Sequence, residues 1–94
     1  MVTPFTSESK VNFQAAAELA THLVNNGSDG LVVAGTTGES PTLTKEEKFE
    51  LFKTIKEAVG SEIPVIAGTG SYSTEESIIQ SQMAEKAGVD GLLL

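Results

Sequence analysis

The chain has 94 residues, no cysteine, no arginine, one histidine and a net charge of −7. That length allows one small core, and the lack of thiols excludes disulfides and thiolate metal sites. Six lysines scattered among acids form no patch able to displace counterions from nucleic-acid phosphates. No apolar run approaches the roughly 18 residues of a membrane span, so a cytoplasmic protein without nucleic-acid or membrane partners is expected.

Residues 1–5 (MVTPF) are expected to form a strand ending at Pro4, followed by the polar loop TSESK. From Asn12, the residues Phe13, Ala16, Ala17, Ala20, Leu23 and Val24 recur at the spacing of an amphipathic helix, which Gly27 ends. His22 lies within that helix as a structural residue, since no second histidine can join it at a metal. Residues 30–35 (GLVVAG) are continuously apolar and β-branched, which suits a strand buried on both faces of a parallel sheet.

After a threonine-rich loop, Thr44 and Glu47 are spaced as a capping box. The helix they open turns Phe49, Phe52, Ile55 and Val59 inward and stops at Gly60. Residues 64–68 (PVIAG) read as the next strand, and Ser73 with Glu76 as a second capping box. A third helix is lined by Ile79, Met83, Ala84 and Ala87 and ends at Gly88. Residues 90–94 (DGLLL) open a further strand.

These units echo one another. NGSDGLVV parallels KAGVDGLLL and VVAGTTG parallels VIAGTG, at intervals of about 30 residues, the length of one strand-plus-helix unit. Such units build parallel sheets, either open and doubly wound or closed into an eight-fold barrel. The absence of a G-x-G-x-x-G turn and the near-uniform unit length favour the barrel. The fold class is therefore α/β: three βα units and the start of a fourth strand of a (β/α)8 barrel. Because such a barrel needs roughly 250 residues, residues 1–94 are expected to be a single incomplete domain.

In that architecture the active site lies at the C-terminal ends of the strands. The loop GTTGESPT stands there. Gly35 and Gly38 allow a tight turn and a close ligand approach, and exposed N–H groups with a threonine hydroxyl make a cradle for a carboxylate or phosphate. A second threonine can pass a proton only beside a stronger acid or base. The same residues also fit a plain strand-to-helix connection. Glu39 is expected to accept hydrogen bonds from loop N–H groups, with general-acid work as the alternative. Tyr72 either stacks on a ligand or partner or covers the rim. All six lysines fall on expected loops or helix polar surfaces and none on a strand, so none is a convincing Schiff-base nucleophile.

VTPF, GTTGESPTLT and IPVIAGTGSYST together resemble the dihydrodipicolinate synthases (4-hydroxy-tetrahydrodipicolinate synthases). The resemblance runs along nearly the whole chain and covers about the first third of the family's barrel. It implies a lyase that condenses pyruvate with aspartate 4-semialdehyde in lysine and diaminopimelate biosynthesis, through a Schiff base on a lysine of a later strand. It further implies that Thr37 binds the pyruvate carboxylate, that Thr36 joins a proton relay with two tyrosines, and that Gly35, Gly38 and Glu39 shape the loop. The family's Schiff-base lysine, relay tyrosines and second-substrate arginine have no counterpart in these 94 residues, and Tyr72 does not match a relay tyrosine. No metal or cofactor is implied, and the resemblance implies that the full-length protein is a homotetramer, a dimer of dimers. Ser40, Pro41, Lys45, Lys48, Tyr72 and Glu76 fall at or near a subunit-interface site where many relatives bind inhibitory lysine. Two ammonium groups there disfavour a cationic ligand unless acids compensate. The alternatives are another pyruvate-dependent aldolase, such as an N-acetylneuraminate lyase or a keto-deoxy sugar acid aldolase, and a non-catalytic barrel segment.

Without the Schiff-base lysine, the 94-residue chain is expected to be inactive. Incubated with pyruvate and borohydride, it should show no covalent adduct by mass spectrometry; a stoichiometric adduct contradicts that expectation.

Overall fold

A computed structural model describes all 94 residues. Three helices, α1 (Phe13–Asn25), α2 (Lys45–Val59) and α3 (Thr74–Ala87), alternate with three strands, β1 (Leu31–Val33), β2 (Val65–Gly68) and β3 (Gly91–Leu93). The strands form one parallel sheet in the order β1-β2-β3. Every crossover contains a helix, as parallel pairing requires.

The capping chemistry sets the helix starts. The Asn12 side chain accepts from the Ala15 N–H at 3.0 Å at the head of α1. Thr44 and Glu47 form the full reciprocal box at α2, with bonds of 3.1 and 2.9 Å. The expected box at α3 is only half made. Ser73 accepts from the Glu76 N–H, but the Glu76 carboxylate turns to Lys45, and the Ser73 N–H goes to the Ser71 hydroxyl instead. At the C-terminal ends, Gly27 follows the Asn26 cap of α1, while Gly60 and Gly88 cap α2 and α3; all three glycines have positive φ.

One face of the sheet carries the core. Leu31 and Val33 of β1 and Val65 and Ala67 of β2 are buried beneath Leu51, Phe52 and Ile55 of α2. Each of these large side chains contributes roughly 1.5–3 kcal/mol by burial. Helix α2 packs between α1 and α3, which add the small buried residues Ala16, Ala20, Ala84 and Ala87. Phe49 and Val59, expected inside, are only partly buried, whereas Leu51 is fully buried. The opposite sheet face holds Val32, Ile66 and Leu93 and is open, with Val32 and Leu93 exposed. It is the face turned inward in a closed barrel.

Residues 1–5 do not form the expected strand. The Met1 nitrogen donates to the Val32 carbonyl at 2.8 Å, but the ladder stops there. Ala34, whose carbonyl would take the next bond, has left the extended region with φ 56°. Pro4 also has no N–H to give. The segment instead closes a hairpin on itself: Phe5 bridges Val11, and Thr6, Ser9 and Lys10 bond across the TSESK turn.

At the N-terminal ends of the strands, Asp90 joins three elements. Its carboxylate accepts from the Val65 N–H at 2.9 Å and from Lys56 of α2, and Lys56 also donates to the Ile63 carbonyl at 3.0 Å. The Lys56 hydrogen bond, helped by the Val65 N–H, holds the Asp90 carboxyl below its ordinary range. A depressed carboxyl stabilises the fold above its unfolded-state value and ceases to do so as pH falls through its folded value. Asp90→Asn removes that contribution. The gap in melting temperature between wild type and Asp90→Asn should therefore be constant above about pH 5 and shrink below about pH 4. A gap that does not change with pH rules the clasp out.

Candidate active site

The loop after β1 is bounded by two strained residues. Ala34 and Glu39 take left-handed φ values of 56° and 59°, a region costly for residues other than glycine. The expected turn-makers, Gly35 and Gly38, do not have positive φ. Their smallness serves close approach instead: a Cβ on Gly38 would lie 3.1 Å from the Met1 carbonyl oxygen, and one on Gly35 would lie 3.3 Å from Val32. The Ala34 carbonyl lies over Gly68 of β2, so that a Cβ there would meet it at 2.1 Å.

Between the strained residues, Thr36 and Thr37 are both exposed, and neither hydroxyl takes part in a hydrogen bond within the chain. The loop closes through Glu39 N–H to Thr36 O (3.1 Å) and Ser40 N–H to Gly35 O (3.2 Å). A 3-10 turn at Ser40–Thr42 follows. Glu39 does not accept from loop N–H groups as expected. Its backbone carbonyl takes the Thr42 N–H and hydroxyl, while its carboxylate stays in solvent, so it shapes the loop through its φ.

A cleft of about 600 Å³ opens beside this loop, lined among others by Gly35, Thr36, Ser40, Lys48, Tyr72 and Gln80. Lys48 is the main departure from the sequence reading. It is 6% exposed, because it occupies the first turn of the buried α2 stripe that continues through Leu51, Phe52 and Ile55. Its ammonium donates to Gln80 Oε1 of α3 at 3.1 Å, and burial pushes its pKa down. Lys45, one turn earlier, pairs with Glu76 of α3 at 3.5 Å with both partners half-exposed. Tyr72 stands fully exposed at the tip of the loop after β2, stacked on nothing in this chain. Ser40 and Pro41 lie on the cleft wall.

Three polar residues here escaped the sequence reading. Thr3 is buried and donates its hydroxyl to the Gly38 carbonyl at 2.7 Å. Thr69 is fully buried and accepts from the Ser81 hydroxyl at 3.0 Å. Gln80 lies on α3 outside its apolar pattern. The echo between VVAGTTG and VIAGTG was the one available signal for Thr69; a lone threonine in MVTPF carried none. No group of three or more His, Cys, Asp or Glu side chains is placed to hold a metal ion.

The cluster combines exposed hydroxyls and N–H groups on a strained loop at the C-terminal end of a parallel strand. It can hold a small anion such as a carboxylate, but the loop has no nucleophile of its own.

Comparison with known proteins places the chain. The sequence model of the Dihydrodipicolinate synthetase family matches residues 1–94. The chain is 66% identical over its whole length to the 4-hydroxy-tetrahydrodipicolinate synthase of Heliobacterium modesticaldum, covering 31% of that protein. Among solved structures, dihydrodipicolinate synthase from Bacillus anthracis superposes over 100% of this chain and 32% of its own, with a TM-score of 0.96 and 46% identity. The synthase from Cyanidioschyzon merolae with lysine bound matches over 98% of this chain and 32% of its own, with a TM-score of 0.93 and 51% identity. The chain thus spans about a third of the length of these relatives. Its α/β fold is the N-terminal part of their barrel, and it belongs to the Dihydrodipicolinate synthetase family.

Proposed function

We propose that this segment forms the pyruvate end of the active site of a lyase that condenses pyruvate with aspartate 4-semialdehyde to 4-hydroxy-tetrahydrodipicolinate. The observation that carries the reading is the GTTGE loop, held open at the strand ends in a chain 66% identical to a synthase of that name. Thr37 receives the pyruvate carboxylate on its hydroxyl and N–H, a charge-assisted pair of bonds. Thr36 hands a proton along a relay completed by two tyrosines outside this segment. A lysine of a later strand condenses with the pyruvate ketone, losing water to form the Schiff base. Residues 1–94 act as one incomplete domain of the barrel, and the whole protein works as a cytoplasmic homotetramer. No helix here is long and apolar enough to cross a membrane.

The second cluster bears on regulation. Lys45 is compensated by Glu76, but Lys48 meets only the neutral Gln80. Two like charges about 4 Å apart repel by roughly 4 kcal/mol at an effective dielectric constant near 20. We therefore propose that lysine does not inhibit the whole enzyme at this cluster, whatever it does in relatives.

Two measurements on the full-length enzyme test these readings. Thr37→Val should raise the KM for pyruvate by roughly 10- to 100-fold, the loss of one hydrogen bond to a charged group. Thr36→Val should instead lower kcat, by about 100-fold or more, as loss of a proton-transfer partner does. An unchanged pyruvate KM in Thr37→Val defeats the cradle. Titration with lysine should leave the rate unchanged, and saturable inhibition lost in Lys48→Ala would reverse the regulatory reading.

A further inference from the structure

We infer that Thr3 is a positioning residue for the threonine loop, acting through the Gly38 carbonyl; this rests on reading the loop as the carboxylate cradle. The loop is held in a conformation it would not choose alone. Residues with left-handed φ cost about 1–3 kcal/mol each and persist only where their surroundings fix them, and Ala34 and Glu39 bracket the two threonines. The bonds from Glu39 N–H to Thr36 O and from Ser40 N–H to Gly35 O close the loop on itself but do not tie it to the body of the protein.

Two contacts do. At one end, the Ala34 carbonyl lies in the space left by Gly68. At the other, the Thr3 hydroxyl donates to Gly38 O at 2.7 Å, across 35 positions of sequence and out of solvent. It is the one side-chain hydrogen bond that reaches the loop from a distant part of the chain; the Thr42 hydroxyl, which also donates to the loop at Glu39 O, belongs to the turn that follows directly. Gly38 O belongs to the peptide that enters Glu39, so the bond fixes the plane about which the left-handed φ of Glu39 is set. Thr37 is the residue immediately before this clamped peptide. If the clamp is lost, the Glu39 strain can relax and the carboxylate donors move.

Thr3→Val in the full-length enzyme removes the hydroxyl and keeps the shape. The expected result is a rise of roughly tenfold in the pyruvate KM, the scale of one buried hydrogen bond. The change in kcat should be smaller and the KM for the second substrate unaltered, with recovery in Thr3→Ser. Amide hydrogen exchange at Glu39 and Ser40 should be faster in Thr3→Val, a readout that does not need pyruvate. A wild-type pyruvate KM in Thr3→Val, or unaltered exchange at those amides, overturns the inference. If Thr3→Val does not fold, Thr3→Ser decides: a pyruvate KM near wild type supports the hydroxyl clamp, and a tenfold rise overturns it. An unchanged pyruvate KM in Thr37→Val overturns the cradle reading instead, while the exchange result still reports on the clamp.

Discussion

Ala34 directs its carbonyl at the spot where any side chain on Gly68 would stand, 2.1 Å from an added Cβ. The approach is possible only because β2 ends in glycine, and it turns the chain out of β1 after Val33. From that departure follow the early end of the strand, the exposure of Thr36 and Thr37 above the sheet, and the failure of residues 1–5 to join the ladder. A rim built this way keeps its shape by exclusion: the backbone has little alternative once β1 and β2 are in register.

The periodic parts of the fold were readable because they follow the hydrophobic effect. The α1 stripe, the core-facing residues of β1 and β2, the glycine stops and the Thr44–Glu47 box were all recoverable from spacing, but the expected burial of β1 on both faces is not found, because the Val32 side of the sheet is left uncovered. The rest depended on what one element does to another. Residues 1–5 have strand composition, yet pairing fails because of the conformation of Ala34, thirty positions away. The Ser73–Glu76 spacing allows a full box, but Lys45 competes for the carboxylate. Lys48 has a polar side chain on an apolar stripe, and only the position of Gln80 explains how its ammonium is housed. The threonine loop was legible as an exposed connection at the C-terminal end of a strand. Its left-handed residues were not, since neither alanine nor glutamate announces a positive φ.

The two lysines of α2 illustrate how neighbouring positions of one helix come to differ. One turn separates them, yet Lys45 reaches solvent and an acid while Lys48 is enclosed with an amide. Desolvation without a counter-charge weakens the hold of Lys48 on its proton. It lies on a helix, and its nitrogen is engaged by Gln80.

The pairing of the strands carries one more meaning. By sequence echo Val32 corresponds to Val65 and Gly30 to Gly91, but Val32 stands beside Ile66, and Ile66 beside Gly91. Strand β2 is thus displaced by one residue relative to β1. An odd displacement also reverses parity, so matching letters in neighbouring repeats face opposite sides of the sheet. Val32 is exposed where Val65 is buried, and Thr36 is open to solvent where its echo Thr69 is sealed against Ser81. The same short phrase, written twice, is left open to solvent once and becomes a structural bolt the second time.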